Sequence, residues 1–250
     1  MRAMRILAAV IGLAALMAQA GAAEIKVLCS NGLKAVMQEL APQFERASEH
    51  KVVVRYGLAA ALKQQIEAGE PFDVAILTPA MMDEVIKQGR VAADTRTVIA
   101  RAGIGIAIRA GAARPDIGTA EAFKRTLLDA ASISYAKAGA SGIYFAGLLQ
   151  RLGIAEALNA KSKVMTTGDQ VIEAVAHGEV QLGVLPISEI LPHDGAEVLG
   201  PLPAELQSYV VMTSAIGANA GDRKAATDLV KFLKAPAALP VIAAKGMEPG

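Results

Sequence analysis

From Ile25 onward the chain alternates between short apolar runs and amphipathic stretches, with only small turns between them. Ile25–Leu28, Lys51–Tyr56 and Asp73–Leu77 read as strands, and Leu33–Phe44 and Ala59–Ala68 as the helices that separate them. This order points to α/β architecture, because neighbouring parallel strands need a crossover long enough to hold a helix. Within the first helix, Leu33, Val36, Met37, Leu40 and Phe44 fall on one stripe, and Lys34, Gln38, Glu39 and Glu45 on the other face. A further helix, Met81–Gln88, stops at Gly89, and Thr97–Ile108 is a long extended apolar stretch suited to joining two lobes. A second series follows: helix Thr119–Leu128, strand Ser132–Tyr135, helices Ser141–Leu152 and Asp169–His177, and strand Val180–Leu185. Gln207–Thr213 is again extended, and Ala220–Leu233 and Ala237–Ala244 close the chain as helices. At 250 residues, one large domain or two smaller lobes can each bury a core.

The first 23 residues carry a different signal. Arg2 and Arg5 precede the apolar run Ile6–Met17 and the small-residue stretch AQAGAA, the pattern of a secretory signal peptide, so a periplasmic location is expected. Cleavage after Ala20, Ala22 or Ala23 fits equally, and the run is shorter than the roughly 20 apolar residues a bilayer span needs. Loss of Arg2 and Arg5 turns the formal charge of +1 into −1, which leaves no basic field for nucleic acid. Cys29 is the single cysteine, so neither an intrachain disulfide nor a lipid anchor at the mature end is expected; it reads as a small buried thiol at a strand end. Tryptophan is absent and other aromatics are few, which argues against a sugar-stacking surface. His50, His177 and His193 lack metal-ligand spacing, and no hydrolase or nucleotide-binding motif occurs. Neither a metal nor a cofactor is expected, and Asp73 and Asp83 read as structural.

Four predicted helices begin just after turns of small or hydroxyl residues: Ser30-Asn31-Gly32, Gly57 to Ala60, Gly139 to Gly142, and Thr166 to Asp169. The first turn of a helix presents backbone N–H groups without intrahelical partners and the positive end of the helix dipole, so it attracts anions. Ser30, Asn31, Ser141, Thr167 and Asp169 are also ordinary capping residues. Ligands of open α/β sheets bind beyond the carboxyl ends of strands, which favours convergence of the four turns on one cleft.

The stretches YGLAAALKQQIEAGEPFDVAIL, GASGIYFAGLLQRLGI, GEVQLGVLPISEI and LVKFLKAPAALPVIAAKGMEP together resemble the periplasmic solute-binding proteins of the molybdate-binding (ModA) type. The resemblance covers essentially the whole mature chain. It implies the type II periplasmic binding fold: two α/β lobes joined by two hinge strands, closing on a small anion that is passed to an ABC importer. Lobe one is then residues 24–101 and 207–250, lobe two residues 102–206, and the protein acts as a monomer. Molybdate binders of this type use a serine in each of the first two strand-to-helix turns and a tyrosine in the second lobe. Those positions fall here on Gly32, Ala59 or Ala60, and Pro186.

The loss of all three side-chain donors shifts the expected ligand toward a di- or tricarboxylate. Arg55 ends the second strand, and a guanidinium offers bidentate recognition of a carboxylate. The expected ligand-binding residues are Ser30, Asn31, Gly32, Arg55, Tyr56, Ala59, Thr78, Ser141, Gly142 and Gln170, with Tyr144 as a further possible donor. Two other functions follow from the same pattern. Some relatives of this type are aconitate isomerases, and an allylic proton shift needs a general base, for which Glu189, Asp169 and Tyr56 are the candidates and Cys29 a weaker one. Molybdate or tungstate binding requires rearranged turns in which Ser30, Asn31 and Ser141 supply the missing donors.

Overall fold

A computed structural model describes residues 22–250, so all of the predicted signal peptide except Ala22 and Ala23 lies outside the described residues. The first half of the sheet is built from β1 (Glu24–Ser30), β2 (Lys51–Gly57) and β3 (Val74–Leu77). These strands are parallel, in the order β2-β1-β3, and are connected by α1 (Lys34–Ser48) and α2 (Ala59–Glu67). α3 (Pro79–Lys87) follows β3. Alternation along β1 divides the core between the two faces: Ile25, Val27 and Cys29 pack with Val36, Met37 and Leu40 of α1, whereas Leu28 packs with Leu62 and Ile66 of α2 and with Met82 and Val85 of α3.

The second half contains β5 (Ile133–Ala136), β6 (Ser162–Met165) and β7 (Leu182–Pro186), parallel and ordered β7-β5-β6. Around them lie α4 (Ala120–Asp129), α5 (Ala140–Arg151), the short α6 (Ala155–Asn159), α7 (Gly168–Ala176) and the single turn α8 (Ile187–Ile190). Phe123, Leu127, Phe145 and Leu148 fill one face of this half, and Val171, Ile172 and Val175 fill the other.

One strand joins the halves. β4 (Thr97–Arg109) pairs through Thr97–Gly103 with β9 (Tyr209–Ile216), and β9 in turn borders β3. Further along, from Ile104 and Gly105, β4 pairs with β7 and β8 (Ala196–Pro201). At the changeover the Gln207 side chain stands in for a strand: its Oε1 accepts from the Ile104 N–H at 3.0 Å and its Nε2 donates to the Ile104 carbonyl at 3.0 Å. After β9, helices α9 (Arg223–Lys234) and α10 (Leu239–Ala244) return to the α1 face, and β10 (Met247–Pro249) pairs with β4.

The long extended stretch read as a lobe connection is thus a 13-residue strand belonging to both halves of the sheet. Five elements had no counterpart in the sequence reading: β6, β8, β10, α6 and α8. β6 is an edge strand with no buried residue, and β8 has none either, so neither shows the apolar run that marks a strand. Among the described residues, no helix is long and apolar enough to cross a membrane.

Candidate functional site

Both parallel triplets aim their carboxyl ends at one cavity. The turns after β1, β2, β3, β5 and β7 contribute Ser30 to Gly32, Leu58 to Ala60, Thr78, Ala138 to Ser141, and Pro186 to its wall. The cavity encloses about 650 Å³, counting the part open to solvent. Its polar groups are concentrated in these turns, whereas Leu58, Met81, Ile143, Leu185, Val210 and Met212 give it aliphatic walls. Among the described residues, no Lys, Arg or His lines it.

The turns facing the cavity lack side-chain caps. No side-chain capping hydrogen bond forms at the 3-10 turn Asn31–Leu33 that leads into α1, nor at the starts of α2, α3 and α5. Ser30 and Thr78 hold the capping positions of the first and third of these yet do not cap them. The start of α7 differs. Thr167 and Gln170 form a reciprocal capping box, in which the Gln170 side chain accepts from the Thr166 and Thr167 amides at 3.0 and 3.2 Å. Gln170 is therefore committed to its own helix, and α7 reaches the cavity through Gly168.

Glu189 is the acidic residue of the wall. β7 ends at Pro186, and α8 is seated by Ile187, whose side chain lies so close to Gly105 and Gly246 that a Cβ at either position would collide with it. Ser188 then donates from Oγ to the Gly32 carbonyl at 3.0 Å, a buried hydrogen bond between the two halves of the sheet. Glu189 follows, its carboxylate resting on the Cα of Gly168 where a side chain would clash with Oε2. Burial pushes its carboxyl up to about 7, the Asp169 carboxylate adds to the rise, and the Lys34 ammonium opposes it. Lys34 and Asp169 are 3.7 Å apart and also link the two halves. They line a second cavity beside the first, together with Gln38, His193 and again Asn31 and Glu189.

Of the predicted ligand-binding residues, Ser30, Asn31, Gly32, Ala59, Thr78 and Ser141 meet at the cavity, and so does the proton-transfer candidate Glu189. The remainder lie elsewhere. Arg55 points outward from β2 and pairs with Glu70 at 2.9 Å, because alternate residues of this strand face solvent. Tyr56 packs against the core, and burial raises its phenol to about 12, unsuited to a general base. Gly142 lies beneath the wall; any Cβ there would collide with the Ala136 carbonyl oxygen, so its role is to seat α5 on the end of β5. Tyr144 donates to the Leu206 carbonyl at 2.8 Å. Asp169 is exposed at the second cavity. Cys29 is fully buried, with its thiol pushed up by desolvation. Ser188 was missed; its only signal is the polar pair Ser-Glu inside the apolar run VLPISEIL.

A protein family described as bacterial extracellular solute-binding protein matches residues 25–248. The chain belongs to that family. The chain is 30% identical over 231 residues to an aconitate isomerase from Pseudomonas sp, covering 90% of this chain and 87% of that one. It is 28% identical over 240 residues to the molybdate-binding protein ModA of Azotobacter vinelandii, covering 94% of each. The solved periplasmic molybdate-binding protein of Azotobacter vinelandii superposes with a TM-score of 0.77 at 20% identity, covering 90% of this chain and 99% of that one. This solute-binding protein is thus of the ModA type, with the two-lobe α/β fold. Gly32, Ala59, Ala60 and Pro186, onto which the hydroxyl donors of the molybdate binders were mapped, all line its cavity and bring no hydroxyl.

Proposed function

We propose that this protein is a periplasmic receptor that closes on a small organic di- or tricarboxylate and delivers it to an ABC permease. Lobe one comprises residues 24–101 and 207–250, lobe two comprises residues 102–206, and the cavity lies between them. The observation that carries the choice of ligand is the division of the wall into uncapped helix starts and aliphatic surface. Amides and the hydroxyls of Ser30, Thr78 and Ser141 suit a carboxylate, and Leu58, Met81, Ile143 and Val210 suit a carbon skeleton. A bare tetrahedral dianion needs donors on every side, and each missing charged hydrogen bond costs about 1.5–3 kcal/mol. Calorimetry against di- and tricarboxylates, molybdate, tungstate and sulfate tests the reading. A carboxylate should bind best, with molybdate weaker by about 1,000-fold or more for three missing donors; molybdate binding tightest would refute it.

Glu189 favours a second reading, in which the same cleft isomerises aconitate. A carboxyl that titrates near 7 is suited to both taking and returning a proton at neutral pH. Glu189 would remove a proton from the methylene carbon of trans-aconitate, the helix-start amides would hold the charge spread onto the carboxylates, and the proton would return at the other end of the allyl system to give cis-aconitate. The named relative supports this reading. Proton NMR of the purified protein with trans-aconitate decides it: cis-aconitate that appears with wild type and not with Glu189→Gln supports isomerisation, and no turnover removes it.

A further inference from the structure

We propose that ligand capture is coupled to the uptake of one proton, held between the Glu189 carboxylate and a carboxylate of the ligand. The inference rests on the carboxylate-receptor reading and adds the contact that reading leaves unspecified. An anion entering the cavity meets a second anion in its wall. No Lys, Arg or His lines that cavity among the described residues, so no cation there can offset the two charges. Glu189 stands where the two cavities meet, with Oε2 lying on Gly168. Its helix turn is fixed by the bond from Ser188 to the Gly32 carbonyl. A proton between the two carboxylates turns the repulsion into a hydrogen bond.

Charged and titratable groups face Glu189 from three neighbouring elements. Asp169 at the start of α7 disfavours the ionised carboxylate, and Lys34 at the start of α1 favours it. His193, after α8, lines the neighbouring cavity. Lys34 is itself held by Asp169 at 3.7 Å, on the far side of Glu189 from the ligand cavity. With the ligand's charge on one side of Glu189 and a cation already shared with Asp169 on the other, a proton offsets the repulsion that ligand entry creates. With the free carboxyl already near 7, the required proton is available at neutral pH.

The direction of the pH dependence follows by linkage. Above 7 the free Glu189 is ionised while the complex retains the proton, so the complex binds more protons than its components and affinity falls as pH rises. Calorimetry with tricarballylate, a saturated tricarboxylate that has no double bond to shift, measures this in two buffers of different ionisation enthalpy. The expected uptake is about half a proton per ligand at pH 7 and about nine-tenths at pH 8, and affinity should fall toward about tenfold per pH unit above pH 8. Glu189→Gln should abolish both the uptake and the pH slope, whatever affinity it retains. Uptake that persists in Glu189→Gln, or wild-type affinity that is flat from pH 7 to 9, overturns the proposal. The wild-type profile keeps the test decisive if the variant fails to fold. Absence of binding by tricarballylate and every other carboxylate at any pH overturns the receptor reading as well, and so separates the two failures.

Discussion

Side-chain caps form at the starts of α4, α7 and α9 and at none of the four starts that supply most of the cavity's turns, while α6 and α10, away from the cavity, are uncapped as well. Thr119 at α4 accepts from the Ala122 amide at 3.1 Å, Thr167 at α7 from Gln170 at 3.3 Å, and Asp222 at α9 from Ala225 at 2.9 Å. At Asn31, Ala59, Pro79 and Ala140 the corresponding side-chain caps are absent, and these starts converge on one cavity. A cap is worth about 1 kcal/mol to the fold, so each uncapped start forgoes stability that an ordinary helix keeps. The difference teaches that the turn composition shared by both groups does not decide function. An uncapped start can serve a ligand only where its first turn also faces the cavity, which those of α6 and α10 do not.

The largest test concerns how an uncapped start is held in place. α5 has no side-chain cap at Gly139, and its first turn is positioned by close contact of Gly142 with the Ala136 carbonyl. Gly142→Ala puts a methyl group into backbone that cannot move aside. Urea unfolding should show a loss on the order of 3 kcal/mol, accompanied by loss of ligand binding. A variant as stable as wild type would mean that α5 is not seated in this way.

A pair of substitutions then separates the two groups of starts. Ser141→Ala should weaken carboxylate binding by about ten- to a hundredfold, the worth of one hydrogen bond to a charged group, with little change in thermal stability. Thr119→Ala should do the reverse: a loss of about 1 kcal/mol in unfolding free energy, with ligand affinity intact. Parallel calorimetry and denaturation on both variants measure the crossing. If Ser141→Ala lost stability and kept affinity, the division between ligand-directed and self-capped starts would collapse.

The sequence made the strand–helix order of both halves legible, because buried strands carry continuous apolar runs and helices a single stripe. β6 and β8 escaped because strands without buried residues leave no such trace. For the site, the helix-start argument located Ser30, Asn31 and Ser141 by local composition alone, and Thr78 was named from its place at the end of the third strand. It placed the Thr166–Asp169 turn among them on the same grounds, yet Gln170 and Thr167 satisfy that turn internally. Glu189 could be named as a candidate base, but its seat on Gly168 comes from a contact across 21 positions of sequence that no local pattern encodes. Burial of a charged residue beside an apolar run is decided by what packs over it.

Arg55 shows the limit from the other side, and it carries the smallest expected effect. A guanidinium at the end of a strand that feeds a ligand turn suggests an anion clamp, but period-two alternation sends it outward to Glu70 and Gln65. Both partners of the 2.9 Å ion pair are substantially exposed, at 55% and 37% of the side chain, so water competes for each charge and the pair is worth well under 1 kcal/mol. Arg55→Ala should change unfolding free energy by less than about 0.5 kcal/mol and leave carboxylate affinity within about twofold of wild type. A tenfold loss of affinity would place the anion near β2's outer face and would take the helix starts out of the binding site. Retained affinity would leave the neutral donors of the uncapped turns, with the proton on Glu189, as the sufficient means of holding a negative charge.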